Sequence, residues 1–155
     1  EKVVAGGDPY QVQVEATARA VADRLGPGWD WEVCYQSRVG PLKWIGPSTE
    51  DSIKKAHADG KGVILTPIAF VSEHIETLVE LDREYAELAH EAGMTTYLRV
   101  PALGVEAAFV DALADVTLES LDRDGGVEPA GGGRFCPAKW SGCPSTAACA
   151  TSEAA

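Results

Sequence analysis

The chain has 155 residues, enough for one ordinary domain with a modest core. It is 45% hydrophobic and 24% charged, with a net charge of −11. That balance leaves no basic stripe for a nucleic-acid surface, and the longest apolar runs are too short to span a bilayer. Glu1-Lys2-Val3-Val4 runs directly into Gly6-Gly7 without a signal-peptide pattern, which points to a cytoplasmic setting.

Asp8-Pro9 reads as a helix cap followed by proline at the first helical position, so a helix is predicted from about Pro9 to Leu25. Gly26-Pro27-Gly28 ends it. Trp29 to Ser37 reads as a strand with Trp29, Trp31, Val33 and Tyr35 on one face. Gly40 to Pro47 is a loop bracketed by breakers. Ser48 caps the next helix, with Asp51 as its capping-box partner, and that helix should end near Gly60.

Gly62 to Phe70 is an almost continuous apolar run, as expected of a strand in a sheet covered on both faces. A long helix from about Glu73 to Ala92 follows and closes at Gly93. Thr95 to Val100 is a further strand, and Val105 to Leu121 a last helix. The order α-β-α-β-α-β-α predicts an α/β fold, a parallel sheet flanked by helices. Such a unit ordinarily begins with a strand. Val3-Val4 is read as the stub of something longer, and the first strand is expected to lie outside these residues.

The tail from Gly125 onward trades periodic pattern for glycines, small residues and cysteines, and should be largely irregular. Three of the four cysteines, Cys136, Cys143 and Cys149, fall there. Clustering in a tail suits metal or cluster ligation, or no role, better than a disulfide framework. Cys34 sits mid-strand and reads as a small core residue.

Glu73, Glu76, Glu80, Glu84, Glu87 and Glu91 recur at spacings of three and four, within roughly 60° of one line on an ideal helix. A solvated face is the plainer reading of such a stripe. Three details single out its first turns. Glu73, Glu76 and Glu80 lie next to the end of a strand, where open α/β sheets place ligands. His74 stands beside them. Few Lys or Arg accompany the row, and crowded carboxylates suit proton relay or capture of a hard cation. Convergence of His74 with the carboxylates needs an irregular first turn, such as a π-bulge. His74 taken alone fits a packed histidine as well as a ligand. Trp44, on the loop after the first strand, and Phe70 could wall a flat apolar ligand, or could simply cover the sheet edge.

Gly7-Asp8-Pro9-Tyr10, Gln36-Ser37-Arg38-Val39-Gly40-Pro41, Trp44-Ile45-Gly46-Pro47 and the run from Pro67 to Asp82 resemble, in order and at similar spacing, the C-terminal half of ferrochelatases. The resemblance runs from about Gly6 to Asp124. It implies a Rossmann-like three-layer half-domain of the chelatase fold over 1–124, with 125–155 as a Gly- and Cys-containing tail. It also implies insertion of ferrous iron into protoporphyrin IX to make haem. Glu76 then resembles the carboxylate that works across the porphyrin from a histidine, as iron ligand or proton acceptor. His74, Glu73 and Glu80 resemble the rest of a polar path along an unusual π-type helix, with His74 and Glu76 as the metal-binding pair. Trp44, Gln36, Ser37 and Phe70 would meet the porphyrin. Loss of two pyrrole N–H protons and delivery of a cation call for a base and a ligand flanking the ring.

The opposing histidine and the whole first half of the family are expected to lie outside these 155 residues, so little turnover is expected of them alone. Some ferrochelatases bind a [2Fe-2S] cluster. Cys136 and Cys143 resemble two of its ligands, but Ser145 stands where a third is expected, and Cys149 has a different spacing. Four thiolates are the usual requirement, which counts against a cluster. The competing readings are a related tetrapyrrole chelatase with another metal or porphyrin, and a non-catalytic domain that holds metal or tetrapyrrole. The apolar porphyrin leaves peripheral membrane contact open, although no amphipathic anchor is evident.

Overall fold

The computed structural model describes residues 1–36, 40–41, 43–123, 125–130, 133–134 and 136–145. They form a mixed α/β structure of helices with a small two-stranded parallel sheet. The chain divides into two compact units, Thr17–Gly104 and a second made of Glu1–Ala16 with Val105–Ala155.

In the first unit, α3 spans Thr49–Ala58, β1 Val63–Leu65, α4 Tyr85–Glu91 and β2 Tyr97–Arg99. A π-helix, Glu76–Glu84, runs directly into α4. Ser48 caps α3 as its sequence predicts: its Oγ accepts the Asp51 N–H at 3.1 Å and donates to Asp51 Oδ2 at 2.8 Å. β1 and β2 pair in parallel, Val63 opposite Tyr97 and Leu65 opposite Arg99, with the helices as the crossover between them. Gly62 lets the strands approach, since a Cβ there would lie 2.7 Å from Thr96 Cβ.

Val63, Leu65 and Tyr97 turn toward a core of Ile53, Leu81, Tyr85, Ala89 and Met94. The alternate positions, Ile64 and Leu98, are 49% and 55% exposed. The expected sheet covered on both faces is therefore, in this unit, covered on one. Both strands are also shorter than predicted; in the first, Pro67 lacks the N–H that a longer ladder needs.

Among the described residues of the predicted strand from Trp29 to Ser37, pairing is limited to one bridge, Tyr35 with Ser48. Tyr35 donates its N–H to Pro47 O at 2.9 Å and its carbonyl accepts the Thr49 N–H at 3.1 Å. Its partner segment is Gly46-Pro47 on one side and the start of α3 on the other. Proline cannot donate and the helix turns away, so the ladder cannot grow. Trp29 and Trp31 consequently remain exposed, with the Arg19 guanidinium 5.7 Å from the Trp31 ring centre.

In the second unit, Lys2–Ala5 is a short helix (α1), not the strand stub suggested by Val3-Val4. Asp8 Oδ1 accepts the Tyr10 N–H at 2.8 Å, capping α2, which spans Tyr10–Leu25 and continues into the first unit. α5, Ala107–Leu121, buries none of its residues, and Leu113, Leu118 and Leu121 are all exposed. The described part of the tail forms turns. Its Gly142 N–H donates to Gly7 O at 2.8 Å, and Gly7, at φ +98°, packs so closely that a Cβ would lie 2.6 Å from Ser141 Oγ.

Candidate functional site

The predicted single helix from Glu73 to Ala92 is built in two pieces, and the first is the π-helix. Four residues of α-helix overshoot a full turn by about 40°, so side chains four apart drift around the axis. A wider i→i+5 winding turns less per residue and sends that drift the other way. Thr77, Leu81, Tyr85 and Ala89 are all buried at a constant spacing of four. Glu76 and Glu80 are likewise four apart within this π-helix. The junction is an i→i+5 bond, Tyr85 N–H to Glu80 O.

The start of this helix is knotted by Thr77, which is fully buried. Its Oγ1 accepts the His74 N–H and donates to His74 O, both at 2.9 Å. The same carbonyl accepts the N–H groups of Thr77 and Leu78. His74 is thereby oriented: its Nδ1 accepts the Glu76 N–H at 3.2 Å and lies 3.8 Å from Glu76 Oε2. Phe70 packs against the imidazole with ring centres 4.3 Å apart in a T-shaped contact. His74 and Glu76 so form a pair of adjacent donors, with side chains 33% and 42% exposed. Among the described residues no three His, Cys, Asp or Glu side chains gather to hold a metal.

Gln36 joins the aromatic loop to this helix. Its Nε2 donates to Glu80 Oε2 at 3.0 Å and to Glu76 O at 3.2 Å, while its own carbonyl accepts the Trp44 indole N–H at 3.2 Å. Trp44 keeps 40% of its surface exposed. Glu80 uses its other oxygen to accept the Tyr85 hydroxyl at 2.7 Å. Burial and that carboxylate push the Tyr85 phenol well above its ordinary range. Ser37 lies outside the described residues.

Glu73 stands apart from the other acidic groups. Its Oε1 accepts from Arg99 Nη1 at 2.6 Å and from the Ala102 N–H at 2.9 Å. The Arg99 hydrogen bond, helped by the Ala102 donor, holds its carboxyl down at about 2. Arg99 also grips Asp82 with Nε and Nη2. The cation that neutralises Glu73 does not come from the helix itself. It comes instead from the end of β2, and the only signal for it is an arginine at the last position of a strand. Glu84, Glu87 and Glu91 are exposed, as a solvated face would have them.

The ferrochelatase family profile matches residues 1–121. The chain belongs to the ferrochelatase family. It is 60% identical over 144 residues to a ferrochelatase of Caulobacter vibrioides, covering 93% of this chain and 42% of that relative. A Hyphomonas neptunium ferrochelatase is 51% identical over 144 residues, covering 93% of this chain and 40% of its own length. One from Rickettsia bellii is 44% identical over 147 residues, covering 92% and 41%. The chain thus spans about two-fifths of the length of the curated relatives it matches.

For a ferrochelatase the cysteines bear on the question of a cluster. Cys136 is buried, and its thiol hydrogen-bonds that of Cys143. Burial, then that contact, raise Cys136, whereas the Ser145 backbone donor, Cys136 and Arg134 lower Cys143. Ser145 Oγ is buried without a hydrogen-bond partner. Cys149 lies outside the described residues. Cys34 is partly buried in the other unit, and burial raises its thiol. Two adjoining thiols and a serine do not by themselves make a four-thiolate [2Fe-2S] site. No helix among the described residues is long and apolar enough to cross a membrane.

Proposed function

We propose that this chain supplies one wall of a ferrochelatase active site, and that the whole protein inserts ferrous iron into protoporphyrin IX in haem biosynthesis. The carrying observation is the half-buried His74–Glu76 pair at the opening of a π-helix, tied through Gln36 to the exposed face of Trp44. A flat macrocycle would lie against Trp44 and Phe70, with Gln36 and Ser37 at its edge. Insertion exchanges two pyrrole N–H protons for Fe2+. Glu76 is the group to take a proton or touch the incoming ion, because its carboxylate neighbours an imidazole nitrogen rather than a fixed cation. His74 is its partner as ligand, and Glu80 continues the acidic line for protons or iron. Two donors suit a cargo ion that must leave, whereas a resident ion takes a closed shell.

On this reading residues 1–124 are the C-terminal half-domain of a three-layer, Rossmann-like chelatase fold, and 125–155 are its tail. The partner is the other half of the protein, which would close the cleft and cover the open face of the sheet at Ile64 and Leu98. The protein would work in the cytoplasm, with peripheral membrane contact where its apolar substrate is delivered. The test is insertion of zinc or iron into porphyrin by the full-length chain. Glu76→Gln should cut kcat by about 10²-fold or more while leaving the circular dichroism unchanged. Undiminished turnover in that variant would overturn the role of Glu76.

A further inference from the structure

We infer that Arg99 is a positioning residue for this site: one guanidinium clamps Glu73 and Asp82 and so fixes the turn that presents His74 and Glu76. The inference rests on the active-site reading above. Arg99 ends β2, and its side chain is only 10% exposed. Four of its hydrogen bonds are described: Nη1 to Glu73 Oε1 at 2.6 Å, Nε to Asp82 Oδ1 at 2.6 Å, Nη2 to Asp82 Oδ2, and a longer one from Nη1 to Val100 O at 3.4 Å. Glu73 precedes the π-helix and Asp82 lies within it, so one planar fork spans the opening turn. The bidentate grip on Asp82 sets the fork's plane, and the remaining nitrogen sets where Glu73 ends. A lysine has no such fork.

Glu73 is also the residue before His74, and the Ala102 N–H binds the same carboxylate oxygen. The strand end and the residues just beyond it thus hold this corner of the helix from two points. A carboxylate held in this way by a guanidinium and an amide is a fixed anion and not a proton carrier. Within the acidic row this separates Glu73, which shapes the turn, from Glu76, beside His74, and Glu80, bound to Gln36.

The test uses the full-length enzyme and two readouts, metallation kinetics and the 15N shifts of the His74 imidazole. Arg99→Met should lower kcat roughly tenfold or more with the porphyrin KM within twofold, since small misplacements of reacting groups are costly. It should also shift the His74 nitrogens. Arg99→Lys should not restore either readout. Glu73→Gln, which keeps the shape of the side chain, should reproduce the loss, and combining it with Arg99→Met should add little further. Ile53→Val weakens the core without touching the clamp and should leave both readouts in place.

Normal kcat and unmoved His74 shifts in folded Arg99→Met would overturn the clamp. Should that variant fail to fold, the same two results in Glu73→Gln would overturn it. Failure of the unaltered protein to metallate porphyrin would instead overturn the active-site reading, while the His74 shifts still judge the clamp.

Discussion

Glu73 gives one oxygen to both Arg99 and the Ala102 amide, while three residues on Glu76 faces an imidazole nitrogen. Helical periodicity treats these two glutamates alike, and their neighbours in space set them apart. The difference has a consequence for acid stability. The Glu73 carboxyl sits at about 2 in the folded chain against an ordinary 4.5. A lowered folded-state pKa contributes stability that is complete above the unfolded value and is lost as the pH falls toward the folded one. The unaltered protein should therefore lose more thermal stability than Glu73→Gln between pH 4.5 and about 2, and the two should run parallel above pH 6. Curves of equal slope through the acid range would show that the Arg99 contact is not made in solution. Gln36 is the other residue whose importance is spatial. A single carboxamide touches Glu76 and Glu80 while its backbone holds Trp44, so the polar line and the aromatic wall move together.

The π-helix is the element that turns an ordinary acidic row into a site. Its opening depends on Thr77, the one fully buried polar side chain at the corner. Thr77→Val keeps the shape but strands the His74 N–H and removes a donor to its carbonyl. An unsatisfied buried group costs about 1–3 kcal/mol, which should appear as a lower urea midpoint with an unchanged m-value. A midpoint within error of the parent would mean that water replaces the hydroxyl and that Thr77 does not organise the turn. Amphipathic pattern predicted a helix here and was right about the buried side. It did not reveal the winding. The spacing of four in Thr77, Leu81, Tyr85 and Ala89 fits either an α- or a π-helix, and three of these residues pack with Ile53 and Met94 in the core.

Across the whole molecule, the same pattern of open apolar surface recurs in each unit. Ile64 and Leu98 are exposed on the free face of the sheet in one, and α5 shows a row of leucines and valines in the other. A protein more than twice this length, as the relatives are, has the material to cover such a face. Ile64→Asp in the full-length chain should then lower stability by at least about 2 kcal/mol, because a carboxylate would be buried without a partner. A change of only a few tenths in the urea-derived stability would place that face in water and argue against coverage by the rest of the protein. The sequence by itself determined the helices, their caps and the family, because these depend on local pattern and on motif order: Ser48 and Asp8 cap where their chemistry says, and Pro67 to Asp82 carries the resemblance. The π-type winding that the resemblance implied is present at Glu76–Glu84, whereas the tertiary structure alone decided which strands survive and which carboxylate is neutralised. Those depend on what meets each group across space: Pro47, next to Tyr35's bridge partner Ser48, stops a ladder, and Arg99, seventeen residues after Asp82, claims Glu73 and Asp82 together.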